Sequence, residues 1–329
     1  MNWRFWKSKP GPEMPATDDP QWERALINRM ATEFLREQRR SQRWGIVFKV
    51  GILLYLVLLA VAFVADGLGD AIGTAGEHTA LVEVEGLIAP EADASADRIV
   101  TGLRKAFEAD KVKGIILRIN SPGGSPVQSG YVFDELKRLR EKYPDTPVYA
   151  VAADVCASGA YYIAAAADEI YVDKATLIGS IGVRLDSFGF QRALEELGVQ
   201  RRLLTAGEHK GILDPFSPLG DWEREFLQGL LDNLHAQFIT AVKEGRGDRL
   251  NGGDELFSGL FWTGEESVEL GLSDGLGSPG YVAREIIGAE EMVKYSQKRD
   301  LLERFADRVG SALATTLVEL TGIRGPSLR

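Results

Sequence analysis

This chain of 329 residues has one cysteine, Cys156, so no disulfide can form within it. It has three histidines, His78, His209 and His235, and no cysteine cluster, which excludes the usual His/Cys structural zinc sets and leaves no metal or other cofactor expected. Basic residues are also short: 38 Lys and Arg face 48 Asp and Glu, a net charge of −10, which argues against nucleic acid as a partner. The imbalance is uneven. Residues 1–65 hold 10 basic and 6 acidic residues, so a basic head precedes an acidic body. Such asymmetry is a topology signal more than a binding patch.

A long apolar run is present once. Residues 44–65 read WGIVFKVGILLYLVLLAVAFVA, with Lys49 as the single charge. At ~1.5 Å per residue, a helix of that length matches a hydrocarbon core of ~30 Å. Arg36, Arg39, Arg40 and Arg43 precede it, and Asp66, Asp70 and Glu77 follow. The positive-inside rule then places residues 1–43 in the cytoplasm and the acidic body outside, on a single-pass anchor in a bacterial inner membrane. The rival readings are a cleaved signal peptide, for which the preceding region is too long, and a buried core helix. Residues 66–78, with Gly67, Gly69, Gly73 and Gly76, read as a flexible linker.

From residue 79 onward strands and helices alternate. Strands are expected at Ala80–Ile88, Val112–Ile119, Val148–Ala153, Ile170–Val172, Ile181–Val183 and Gln200–Leu204. Helices are expected over 95–109, up to Lys142, after Ser158, and over Asp221–Glu244 with Phe226, Leu230, Leu231, Leu234 and Phe238 on one side. The pattern predicts an α/β fold around a largely parallel sheet. The body is expected over 79–290. A tail over 291–329 contains an amphipathic helix near 300–321.

Three segments carry chemistry. Ser121-Pro122-Gly123-Gly124 follows a strand and precedes a helix. Its proline and glycines permit a turn whose N–H groups face an anion, although a plain turn has the same composition. Ser158 sits between Ala157 and Gly159 at the start of an alanine-rich helix, a place for an exposed nucleophile and also for an ordinary N-cap. The Gly159 N–H would complete an oxyanion hole. Lys210, between Gly207 and Gly211 and next to Ile212-Leu213, is a candidate base, since an ammonium stripped of water gives up its proton more readily. Ser180 could hydrogen-bond that amine and orient it. The alternative nucleophile, Cys156, lies two residues from Ser158 and reads as a small buried side chain.

These motifs occur in one order: Ile119 to Gly124, Asp154 to Ala164, Ile178 to Val183, and Gly207 to Gly211. Together they resemble the signal peptide peptidase A family of S49 serine peptidases, in its short, single-unit, membrane-anchored form. The resemblance covers roughly residues 79–280. It implies a ClpP/crotonase-like fold and a Ser-Lys dyad of Ser158 (nucleophile) and Lys210 (general base and acid), with Ser180 orienting the lysine. Gly124 or Gly123 would share the oxyanion role with Gly159. It also implies a homo-oligomer, an octamer, in which serine and lysine come from adjacent protomers, and peptide substrates such as signal-peptide remnants cut beside membrane lipid. Other readings are a Ser-His-Asp peptidase using His209 or His235, an acyl-CoA enzyme of the crotonase type, and a non-catalytic membrane scaffold.

Overall fold

The computed structural model describes residues 76–296, residues 48–58, and residues 22, 27, 30, 31, 34 and 45. The chain divides into two units, Met1–Gly73 and Thr74–Arg329. In the first, residues 48–58 are helical and exposed. The expected span at 44–65 lies partly outside the described residues, and among those described no helix is long and apolar enough to cross a membrane. The expected tail helix near 300–321 lies wholly outside them.

The second unit is built on one mixed sheet. Its strands are β1 (His78–Glu85), β2 (Val112–Ser121), β3 (Val148–Ala157), β4 (Glu169–Val172), β5 (Leu177–Gly179), β6 (Phe261–Thr263), β7 (Gly275–Leu276) and β8 (Met292–Lys294). The main path runs β6-β5-β3-β2-β1-β8, and β4 pairs with β3 and β7. Every pairing is parallel except β5 with β6. The central strands read accordingly: Gly114 to Leu117 is buried without a break, as a parallel strand covered on both faces requires.

The unit's main described helices are α1 (Ala96–Glu108), α2 (Pro126–Lys142), α3 (Gly159–Ala164), α4 (Gln191–Glu196), α5 (Asp221–Arg246) and α6 (Gly264–Glu269). In α1, Ile99, Leu103, Ala106 and Phe107 recur at helical spacing and are buried. Ser125 caps α2 by accepting from the Gln128 N–H, and Pro126 occupies its first turn. The layering, helices against a parallel-rich sheet, is what the ClpP/crotonase-like resemblance asks for.

Two expected strands are absent, and one expected face is only partly buried. The strand expected at Ile181–Val183 lies earlier, at Leu177–Gly179, because Ser180 turns to φ 52° and ends it. Gln200–Leu204 is exposed and irregular, and among the described residues no neighbouring strand receives it. Helix α5 buries Phe238, Ala241, Val242 and Arg246, while Trp222, Phe226, Leu230 and Leu234 in its first half stay exposed. Where the buried half crosses α3 the backbones touch: a methyl group on Gly245 would lie 1.9 Å from the Ala165 carbonyl oxygen.

One ion pair ties α5 to the sheet. Arg246, 1% exposed, makes a two-pronged contact with Asp274 at 2.7 and 3.0 Å and donates from Nε to the Gly271 carbonyl. Asp274 also accepts the Ile170 N–H of β4 at 2.7 Å. Burial alone would push the Asp274 carboxyl up. The Arg246 hydrogen bonds and charge outweigh it, and the carboxyl sits below its ordinary value. A carboxyl lowered by folding stabilises the protein fully above its unfolded pKa of about 4, and that contribution vanishes as pH falls through the folded value. Asp274→Asn, which strands a buried guanidinium, is expected to cost about 3 kcal/mol in urea unfolding at pH 7. The difference from the wild type should shrink on acidification below about pH 4.

Candidate active site

Strands β2, β3 and β5 end at the same edge of the sheet, where parallel strands present their carboxyl ends. Ser158 occupies the junction between β3 and α3. Its backbone is at φ 52°, ψ −125°, a conformation costly for any residue with a side chain. It is fixed there from both sides. The Ser158 N–H donates to the Gly179 carbonyl at 2.9 Å, and its own carbonyl accepts from the Tyr162 N–H at 3.0 Å. The turn is sharp, and Ser158 stays partly exposed on the cleft while Ala157 and Gly159 are buried.

The loop after β2 packs directly on this junction. Gly123 is at φ 96° and Gly124 at φ 152°. A methyl group on Gly123 would lie 2.7 Å from both the Ala157 carbonyl oxygen and the Gly159 nitrogen. The loop is also bound to the segment after β1: the Ile88 N–H donates to Gly123 O (2.9 Å) and the Ser125 N–H to Ile88 O (2.8 Å). The Gly123 N–H is committed to Ser121 Oγ at 3.1 Å. Among the described residues, the Gly124 and Gly159 N–H groups donate to nothing. The two neighbouring free donors beside a serine hydroxyl are therefore Gly124 and Gly159, and Gly123 supplies the bend.

Asn120 sets the loop's height. The β2–β3 register shifts between Ile119 and Ser121. The Asn120 side chain fills the gap, accepting the Val155 N–H and donating to Asp154 Oδ2, each at 3.2 Å. Ser129 of α2 lies beneath Gly159, buried, donating to the Ser125 carbonyl. Sequence reasoning missed both residues, since an asparagine at a strand end and a serine in a helix carry no distinguishing pattern.

A cleft of 1040 Å³ opens over Ser158. Gly123, Gly124, Gly159 and Ser180 line it as well. Ser180, with its N–H donated to Leu260 O at 2.7 Å, thus shares the cleft with Ser158. Lys210 does not line it within one chain. It is exposed, in a turn closed by its own N–H to Gly207 O at 3.2 Å. The histidines are also elsewhere. His209 stacks on Trp222 at 4.0 Å, and His235 Nε2 donates to the Ile181 carbonyl at 3.0 Å. Cys156 is wholly buried, and burial pushes its thiol far up, so no thiolate forms there. Among the described residues no three His, Cys, Asp or Glu side chains gather into a metal-binding group.

Residues 140–291 match the sequence model of Peptidase family S49. A putative protease of Synechocystis sp. is 35% identical over 199 residues, covering 60% of this chain and 69% of that protein. The chain belongs to peptidase family S49. A putative signal peptide peptidase SppA of Enterococcus faecium is 30% identical over 213 residues, 62% of this chain and 61% of that one. A protein of Brucella abortus named Na(+)/H(+) antiporter NhaA is 43% identical over 209 residues, 63% of this chain but only 28% of that protein's length.

The loop contacts predict a steep response to a single methyl group. A methyl group on Gly124 would lie 2.1 Å from the Ile88 carbonyl oxygen, so Gly124→Ala must displace the loop and its free N–H. In a serine peptidase that places its oxyanion at the Gly124 N–H, peptide cleavage would fall about 100-fold or more, the cost of losing one such donor. Labelling of the protein by a fluorophosphonate probe, read by gel fluorescence, would slow in parallel.

Proposed function

We propose that the protein is a membrane-anchored serine endopeptidase that uses Ser158 as nucleophile and Lys210 of a neighbouring copy as general base. The observation that carries the reading is the strained Ser158 facing the cleft beside two unused N–H groups, Gly124 and Gly159. A nucleophile needs exposure and a nearby place for the oxyanion, and this junction supplies both.

In the reaction, the neutral Lys210 amine takes the Ser158 Oγ proton as Oγ attacks the peptide carbonyl. The carbonyl oxygen becomes an oxyanion between the Gly124 and Gly159 N–H groups. Collapse of the tetrahedral species breaks the C–N bond, and the lysine returns its proton to the departing amine. Water, deprotonated by the same lysine, then releases the acyl group from Ser158. Ser180, which shares the cleft, hydrogen-bonds the incoming amine.

Delivery of Lys210 from another copy is supported by what surrounds it. Residues 185–234 expose Phe188, Leu197, Leu204, Trp222, Phe226 and Leu230, an apolar surface of the kind that association covers. A ring of identical subunits, an octamer in the family resemblance, would bring one copy's Lys210 to the next copy's cleft. The anchor at 44–65 rests on its apolar composition and the basic residues before it, which place the body outside a bacterial inner membrane. Substrates would be apolar peptides at the membrane surface, such as remnants of cleaved signal peptides.

Ser158→Ala should abolish both cleavage of a fluorogenic peptide and fluorophosphonate labelling; labelling that persists would remove Ser158 from the reaction. Ser158→Ala and Lys210→Ala proteins, each inactive, should regain activity when co-assembled, because one mixed interface then holds both intact groups. Failure to regain activity in co-assembled particles of verified composition would place the base within the same chain.

A further inference from the structure

The cleft beside Ser158 is lined by two charged residues that the reaction does not use, Asp134 and Arg184. One bank is the exposed face of α2, where Val127, Tyr131 and Asp134 follow at helical spacing. Val127 and Tyr131 are 58% and 60% exposed, a large apolar surface turned to the opening. The opposite bank is α5, through Leu234, Gln237 and Phe238. Tyr162, four residues after Ser158, lies between them, edge-on to Phe133 at 5.2 Å and against Phe238 at 5.0 Å. The walls near the nucleophile are therefore apolar and aromatic, with Asp134 as the acidic group on the bank.

Asp134 is not neutralised by its neighbours. Among the described residues it has no ion pair and no hydrogen bond. The cations one turn further along α2 are engaged elsewhere. Lys137 pairs with Glu244 and lies over the Phe133 ring at 5.6 Å, and Arg138 pairs with Glu135 at 2.7 Å. Arg184, at the cleft rim, pairs with Asp186 at 3.3 Å. The field of Asp134 reaches the floor: burial holds the Tyr162 phenol above its ordinary value, and Asp134 and then Glu244 add to that.

Apolar side chains on one bank of the cleft, with a free carboxylate on the same helix face, fit a side chain of the same build. We propose that this part of the cleft is a subsite for a basic residue of the peptide. Its methylene stem lies along Val127, Tyr131 and Tyr162, and its cation sits beside Asp134. The Tyr131 ring adds a face for the cation. Leucine or norleucine lies along the same side chains, so the carboxylate selects among peptides that already bind through apolar contact. Glutamate in that place meets a like charge and is rejected. The inference rests on the peptidase reading and names a substrate class for it.

The test is a set of N-acetylated fluorogenic peptides that differ at one position near the cleaved bond: lysine, norleucine or glutamate. Acetylation removes the peptide's terminal amine as a competing cation. With the full-length protein, one position should show kcat/KM for lysine about fivefold above norleucine, the scale of a partly exposed ion pair, and glutamate below both. In Asp134→Asn the lysine-to-norleucine ratio should fall to about one, and Asp134→Lys should favour glutamate over lysine, the reversal expected of a charge-selecting site. Asp134→Glu should keep the lysine preference. Added salt should erode the wild-type ratio, as it screens an exposed pair. A ratio that is the same in wild type and Asp134→Asn at every position overturns the subsite.

The two readings fail separately. Cleavage that survives Ser158→Ala, or no cleavage of any peptide, overturns the peptidase reading. Fluorescence polarisation of the same peptides on Ser158→Ala, with and without Asp134→Asn, still reads the subsite. A lysine-over-norleucine affinity lost with Asp134 supports it, and equal affinities in both proteins overturn it.

Discussion

The site depends on a backbone constraint: a residue with a side chain is held where glycine would rest more comfortably. Ser158 at φ 52° costs on the order of 1–3 kcal/mol, and the surrounding structure holds it there regardless. Strand β5 accepts its N–H, the first turn of α3 takes its carbonyl, and the Gly123 backbone closes over it with no room for another atom. The strained turn leaves Ser158 reaching the cleft while its neighbours are buried. The same tight contact brings the Gly124 and Gly159 backbones together. The glycine loop would have nothing to pack against if the serine relaxed.

The rest of the body serves to hold that junction. Three parallel strands bring three loops to one edge, and Asn120 corrects the height of one of them by filling a slip in register. Beneath, the Arg246–Asp274 pair holds the end of α5 to the sheet, and Gly245 brings that helix into backbone contact with Ala165 at the end of α3. The first half of α5 and the segment before it behave differently. Their apolar side chains face outward, and Lys210 lies among them. A single chain thus presents Ser158 beside the free Gly124 and Gly159 N–H groups and, on a separate surface, a cation that does not line their cleft.

Much of this was legible in the residues. Alternating strand and helix gave the layering, and the Gly123-Gly124 and Ser158-Gly159 pairs stand out because they occur together, in order, with the other motifs of the family. The choice between Gly123 and Gly124 was not legible. It turns on Ser121 Oγ capturing one N–H, a contact that no spacing rule encodes. The strand expected at Ile181–Val183 failed because Ser180 adopts a conformation that propensity assigns to glycine. Gln200–Leu204 has strand-like composition but no neighbouring edge to pair with, and sheet formation is a property of pairs. In α5 the periodic apolar face is continuous in sequence, and only the packing reveals that its first half stays exposed among the described residues.

Strand β3 shares one of its edges between two neighbours. Tyr149 to Val151 align with β4, deep in the core, whereas Val155 to Ala157 align with β5, three residues long and backed only by the equally short β6. The two ends of one strand therefore differ in cohesion. Amide protons near Ser158 should exchange with solvent through the parting of a few short rungs, while those around Ala150 wait for the whole domain to unfold. Rigidity at the base and give at the tip coexist in ten consecutive residues.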